Sequence, residues 1–243
     1  MIEATKTKMA EMRLTGMLRA YEALQQSGAH QELTIDEMLS NLVESECSER
    51  ASRSLTTRIS QARLRYPATF EQIKFEGSRK ADRTLLLRLG NDEWIQKHEN
   101  IIITGKTGVG KSFIACALGH RACINERKVM YFSTSKLFAA LEQAKADRTH
   151  IRLINRLRVQ DLLILDDWGI EPIMGESRLR LFEILEDRYG GGSTIIVSQV
   201  PVENWHELIK DTTLADAICD RLLHNAHRLK LDGPSGRDPG KEL

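Results

Sequence analysis

The sequence predicts an α/β fold: a parallel sheet with helices packed on both faces, behind a small all-helical N-terminal region. Three observations predict it. A glycine-rich loop, Gly105-Lys106-Thr107-Gly108-Val109-Gly110-Lys111-Ser112, has the spacing G-x-x-x-x-G-K-S and stands between an apolar run and a helical pattern. From Asn100 onward, short apolar runs alternate with helical stretches, the order that builds a parallel sheet. Before Asn100 the apolar residues instead recur at helical spacing.

Residues 1–66 read as the helical region. Leu14, Met17, Leu18, Tyr21 and Leu24 mark one helix. Thr34 and Glu37 form a capping-box pattern ahead of Met38, Leu39, Leu42 and Val43. That second helix is expected to run to about Tyr66, where Pro67 stops it. Residues 67–99 read as a linker followed by a helix over 80–98. The α/β core is placed at 100–232, with strands expected at 101–104, 129–132, 162–166, 194–197 and 228–231. Gly190-Gly191-Gly192 is a stop before the fourth of these. Residues 233–243, rich in glycine, proline and charge, read as a loosely ordered tail.

The loop carries the chemistry. Its glycines let successive backbone N–H groups turn inward on an anion, and the helix that follows adds the positive end of its dipole. Lys111 is expected to reach the β- and γ-phosphates and the Ser112 hydroxyl to ligate Mg²⁺, with Phe113 closing the nucleotide cradle. The second half of such a site is expected at Leu162-Leu163-Ile164-Leu165-Asp166-Asp167. A strand buried on both faces can carry charge only at its C-terminal edge, where open sheets bind ligands. Asp166 is assigned to Mg²⁺ and Asp167 to the attacking water. Ser198 and Gln199 end the next strand, where a polar side chain could bond the phosphate or simply form the turn before Pro201.

Composition bounds the rest. The chain of 243 residues suffices for one sizeable core and an appendage. Its net charge of +1 leaves nucleic-acid binding to local patches. Cys47, Cys116, Cys123 and Cys219 form no C-x-x-C pair, and are expected to be reduced, buried thiols of a cytoplasmic protein. Met1-Ile2-Glu3-Ala4-Thr5 lacks an apolar signal core, and no apolar run is long enough to span a bilayer.

The phosphate loop, the Leu-Leu-Ile-Leu-Asp-Asp-Trp-Gly strand and the stretch from Ser198 to His206 resemble AAA+ P-loop ATPases of the IstB/DnaC type, and IstB-like transposition helpers in particular. Thr213 to Leu222 and His224-Asn225-Ala226-His227-Arg228 share the resemblance, which spans nearly the whole chain. It implies a homo-oligomer that uses ATP and Mg²⁺, assembles on double-stranded DNA and controls a cognate transposase. It also implies that Arg221 enters the neighbouring subunit's site, and it matches Arg237 to a late arginine that contacts nucleotide. Two features depart from the family pattern. Asp167 stands where many AAA+ enzymes carry Glu, and Ser198-Gln199 stands where Asn is common. The chain is also expected to lack the full C-terminal lid of larger relatives.

Two basic stretches are the candidates for DNA. Lys145, Arg148, Arg152, Arg156 and Arg158, with His150, lie between the second and third strands, a region that faces a central channel in the initiator-type ATPases the chain resembles. Arg50, Arg53, Arg58, Arg63 and Arg65 form the other on the long N-terminal helix. Either could be a solvated helix face. Aromatic residues are only 5% of the chain, which disfavours base stacking as the main grip. A replicative helicase loader is the alternative with the same core. A small-molecule kinase would leave Arg221 and the basic stretch idle, and no N-K-x-D guanine-reading motif is present.

Overall fold

The computed structural model describes residues 2–28, 33–73 and 82–233. Contacts divide the chain into two compact units, Met1–Thr57 and Arg58–Leu243.

The first unit contains α1 (Ile2–Glu11), α2 (Thr15–Ser27) and most of α3 (Ile35–Ala62). The expected capping box opens α3: the Thr34 N–H donates to Glu37 at 2.8 Å and the Glu37 N–H to the Thr34 hydroxyl at 3.3 Å. The start of α2 is capped from a distance. Glu46, on α3, accepts the N–H groups of Gly16 at 2.8 Å and Met17 at 3.2 Å, and its other oxygen takes Arg50 at 2.8 Å. Gly16 allows this approach, since a Cβ there would stand 2.4 Å from the Ser45 carbonyl oxygen.

Arg50, first of all, and then the capped N–H groups hold the Glu46 carboxyl below its ordinary value of 4.5. The native state therefore keeps Glu46 charged. Its contribution is fully present above the ordinary value and is lost as pH falls through the lowered one. Full-length wild type and Glu46→Gln should differ in melting temperature near neutral pH and converge as pH falls below the ordinary carboxylate range. Thermal melts across that range check this; a constant difference would refute it.

α3 ends at Ala62, earlier than the sequence suggests, because Arg63 takes a left-handed φ of 52° and Tyr66 precedes a proline. Phe70–Gln72 then forms a single 3-10 turn, boxed by Thr69 and Gln72. The helix expected over 80–98 is two pieces, α4 (Arg83–Leu89) and α5 (Glu93–Gln96); residues 80 and 81 lie outside the described residues. Asp82 caps α4 by accepting the Leu85 N–H at 3.0 Å. The break falls at Gly90, where a Cβ would collide with the Phe70 ring at 2.6 Å.

The rest alternates as expected: β1 (Asn100–Gly105), α6 (Lys111–Ile124), β2 (Val129–Ser133), α7 (Thr134–Ala146), α8 (His150–Arg158), β3 (Leu162–Trp168), α9 (Glu176–Arg188), β4 (Ser193–Ser198), α10 (Trp205–Ile209), α11 (Thr212–Leu223) and β5 (Ala226–Leu231). All pairings are parallel, in the order β2-β3-β4-β1-β5. Ile102, Leu163, Leu165 and Ile196 join side chains of α7 to α11 in one core. Ile164, on the alternate face of β3, reaches Gly119 of α6. Arg188 ties α8 to β4 by donating to the carbonyls of Leu157, Gln160 and Ser193 at 2.6 to 2.8 Å, and burial pushes its pKa down to about 10.

One expectation about the thiols is corrected. Cys116, Cys123 and Cys219 are buried, and burial raises all three, but Cys47, midway along α3, is exposed. Among the described residues no helix is long and apolar enough to cross a membrane.

Candidate nucleotide-binding site

The loop from Gly105 to Ser112 leaves β1 at the C-terminal edge of the sheet and enters α6. Gly105, Gly108 and Gly110 have φ of 149°, 85° and 95°. A Cβ on Gly105 would lie 2.2 Å from the Leu231 carbonyl oxygen, so β5 itself demands glycine there. Val109 is buried beneath the loop, whereas Lys106 and Thr107 are exposed. Lys111 is 7% exposed, and its ammonium donates to the Lys106 carbonyl at 2.7 Å, across the loop's own mouth.

Thr107, Gly108, Gly110, Lys111, Ser112 and Phe113 line a cleft of roughly 670 Å³. Asp166, Asp167 and Gln199 form its opposite side, and Arg65, Tyr66 and Gln72 reach it from the segment before α4. The two strand ends and the loop predicted to act together are therefore brought together. β4 separates β1 from β3 in the sheet, so loop and carboxylates face each other across the end of β4.

Asp166 is 1% exposed. Its Oδ2 accepts the Tyr131 hydroxyl at 2.6 Å, and its Oδ1 accepts the Asp167 N–H at 2.7 Å. Burial, and then bonding to Asp166, pushes the Tyr131 phenol well above its ordinary range, so the phenol stays a donor. Asp167 adopts a φ of 60° where the β3–β4 register shifts between Leu165 and Trp168. A left-handed aspartate at a strand end is a conformation that surrounding structure must enforce. The irregularity carries β3 past Asp166 to Trp168, which is fully buried against Trp205 with ring centroids 5.2 Å apart.

Ser198 and Gln199 part company. The buried Ser198 hydroxyl donates to the Trp168 carbonyl at 2.8 Å and accepts the Val200 N–H at 3.0 Å. It is committed to shaping the strand end. Gln199 faces the cleft, its amide oxygen accepting the Thr107 hydroxyl at 2.6 Å.

A group of three or more His, Cys, Asp or Glu able to cage a metal is absent among the described residues. The donors present are the Ser112 hydroxyl and the buried Asp166 carboxylate on one cleft. Such hard oxygens suit Mg²⁺, which takes few protein ligands beside phosphate oxygens. The residues fit the ion, which when bound would neutralise phosphate charge.

Arg221 lies elsewhere. Its backbone carbonyl accepts the Asn100 side chain at 3.0 Å, at the start of β1, while the phosphate loop follows the end of that strand. Five residues at 3.3 Å each put these ends roughly 16 Å apart. The guanidinium pairs with Glu186, donates to the Ala217 carbonyl at 3.0 Å and lies 5.0 Å from the Phe182 ring centre.

The two basic stretches also differ. Arg148, Arg152, Arg156 and Arg158 are exposed, and no ion pair to them is found among the described residues, whereas Lys145 pairs with Glu176. In the other stretch Arg50 pairs with Glu46 and Arg53 with Glu49. Arg58 donates to the Cys123 carbonyl at 3.0 Å, near the end of α6. Arg63 is exposed at the end of α3. Arg65 has left the helix and stands 3.0 Å from Asp167 and 3.5 Å from Asp166. Sequence reasoning placed Arg65 with the helix charges and missed Tyr131 altogether. Arg237 lies outside the described residues.

A five-stranded parallel sheet of this order, with a glycine cradle at one strand end and paired carboxylates across it, has the fold of P-loop proteins of the AAA+ type. Solved structures agree on the fold. The DnaC helicase loader superposes with a TM-score of 0.58 at 18% identity, covering 69% of this chain and 98% of that one. AMPPCP-bound DnaA from Aquifex aeolicus gives 0.58 at 21%, covering 70% and 52%. The chain belongs to the family of IstB-like ATP binding proteins, which matches residues 7–242. It is 48% identical to a Sinorhizobium fredii protein named as an insertion-sequence ATP-binding protein, y4pL, over 96% of this chain and 95% of the relative. A Pseudomonas aeruginosa protein named for the insertion sequence IS21 is 34% identical, over 89% and 82%.

Proposed function

We propose that this chain is an ATPase that assembles on duplex DNA and assists the transposase of its insertion sequence. The observation that carries this reading is the distance of Arg221 from its own cleft. An arginine on the family's catalytic motif, held at the opposite end of β1, can complete only another copy's site. Hydrolysis then depends on assembly, because charge developing on the transferring phosphoryl group is neutralised in trans.

Within one cleft, Lys111 gives up the Lys106 carbonyl to hold the β- and γ-phosphates, and Gln199 reports the γ-position to Thr107. Ser112 and Asp166 would hold Mg²⁺, which when bound would offset phosphate charge. Asp167, freed of metal duty, orients and deprotonates the attacking water. The exposed arginines of α8 and the turn before it supply phosphate contacts without reading sequence. The N-terminal region, 1–66, serves assembly or DNA contact, joined through 67–99 to the ATPase core at 100–232, with 233–243 as its tail. Membership of the family over nearly the whole chain favours the transposition helper above a helicase loader, because the loader's likeness supports the core fold alone.

The test is ATP turnover and sedimentation with and without duplex DNA and the transposase. Turnover should rise with both, and Asp167→Asn should bind ATP yet hydrolyse it about 100-fold more slowly, trapping DNA-bound oligomers. Exclusive capture of a replicative helicase, or turnover in Asp167→Asn equal to wild type, would refute the respective assignment.

A further inference from the structure

We propose that Arg65 is the resident countercharge of the Asp166–Asp167 pair, and that it yields this place when the cleft takes up a divalent cation with ATP. The proposal rests on reading the cleft as an ATP site. It assigns a regulatory role to a residue that sequence reasoning grouped with a surface patch.

The case begins with the cost of the pair. Two carboxylates stand on adjacent residues at the end of β3, and the first is 1% exposed. A buried carboxylate without a cation is strongly disfavoured. Tyr131 supplies a hydrogen bond to Asp166 at 2.6 Å but no charge. Arg65 supplies it: a single guanidinium nitrogen, Nη1, lies 3.0 Å from Asp167 Oδ2 and 3.5 Å from Asp166 Oδ2. That one nitrogen serves both carboxylates at once.

The partners differ in freedom. Asp166 is fixed by the strand and two hydrogen bonds, while the Arg65 side chain is 41% exposed. Arg65 sits between the end of α3 and the 3-10 turn at Phe70, so its movement breaks no helical hydrogen bond. The Tyr66 ring, 5.6 Å from the guanidinium, offers a cation–π surface on the same cleft. With Arg65 in place, the cleft resists a bare divalent cation. Only a cation arriving with a triphosphate, which also engages Lys111 and the loop, gains enough to replace it. The site thereby answers to the metal–nucleotide complex and not to the metal alone.

The experiment titrates nucleotide-free, full-length protein with Mn²⁺, followed by the paramagnetic resonance of the free ion. Arg65→Gln should bind Mn²⁺ about fivefold more tightly than wild type, the upper scale of one partly exposed charge pair. Arg65→Lys should remain near wild type, because it keeps the charge. The Mg²⁺ concentration that half-saturates binding of a fluorescent ATP analogue should fall in Arg65→Gln by a similar factor. Arg65→Ala makes the same charge change with less side chain and is measured beside it. Unchanged or weaker Mn²⁺ binding in the neutral variants, or equal gains in Arg65→Lys and Arg65→Gln, would overturn the proposal. Lys111→Ala separates this from the underlying reading: if that variant binds ATP like wild type, the ATP site itself is misplaced. If it loses ATP while the neutral Arg65 variants leave Mn²⁺ binding unchanged, only the countercharge role fails.

Discussion

Lys111→Ala should lose about two decades of ATP affinity, close to 2.8 kcal/mol, while the ligand-free protein keeps its fold. The ammonium is buried and satisfied by the Lys106 carbonyl, so the loop holds its charge in readiness at the mouth. Alanine removes that charge together with its desolvation cost, and the carbonyl it leaves belongs to an exposed residue that water can serve. The thermal shift by ATP makes the measurement. At an ATP concentration about 100 times the wild-type Kd, binding stabilises the native state by about 2.7 kcal/mol. For the variant, the same concentration roughly equals Kd, and the gain falls to about 0.4 kcal/mol. A melt that moves equally in both proteins would remove Lys111 from the site. Lys111→Ala also anchors the two other tests that use it, since it weakens nucleotide binding without altering Asp166, Asp167 or Arg65.

The loop and the carboxylate strand were legible because each is local. Glycine at fixed offsets, followed by Lys111 and Ser112, reports backbone geometry directly, and an apolar run ending in Asp166-Asp167 can only place its charge at the sheet edge. The parallel sheet followed from the alternation after Asn100, with strand ends misjudged by one or two residues. Arg65 was not legible, because its role turns on where α3 stops. The left-handed Arg63 ends the helix early and redirects the chain; had the helix run to Tyr66, Arg65 would have belonged to it. Ser198 and Gln199 are equally polar in sequence. Only the pleat of β4 and its junction with Trp168 decide that the first turns inward to the backbone and the second faces the cleft. Tyr131 reads as one more apolar strand residue, and only the pairing of Ser133 with Asp166 shows how β2 brings its hydroxyl to the carboxylate.

Arg221→Ala should lower ATP turnover by about 1,000-fold in the assembled protein, the lower range for an arginine acting on a transferring phosphoryl group, with nucleotide affinity of the single subunit within about twofold of wild type. The split follows from position. Arg221 sits by Asn100 at the far end of β1, so its loss leaves every group that lines its own cleft unchanged. Its present partners, Glu186 and the Ala217 carbonyl, hold the guanidinium against Phe182 and keep it partly exposed. Glu186 is itself exposed and can be solvated when the arginine turns to another copy's phosphate, so the exchange leaves no buried charge behind. Mixing variants then gives a result that a merely structural arginine cannot. A Lys111→Ala subunit has no working cleft but an intact Arg221, and an Arg221→Ala subunit has the reverse. Paired across an interface, they form one complete site, and turnover should rise well above that of either variant alone. Titrating one into the other should give a maximum near equal proportions. Mixtures no more active than the separate variants, under conditions where sedimentation shows mixed oligomers, would mean that Arg221 acts within its own subunit or on the fold alone.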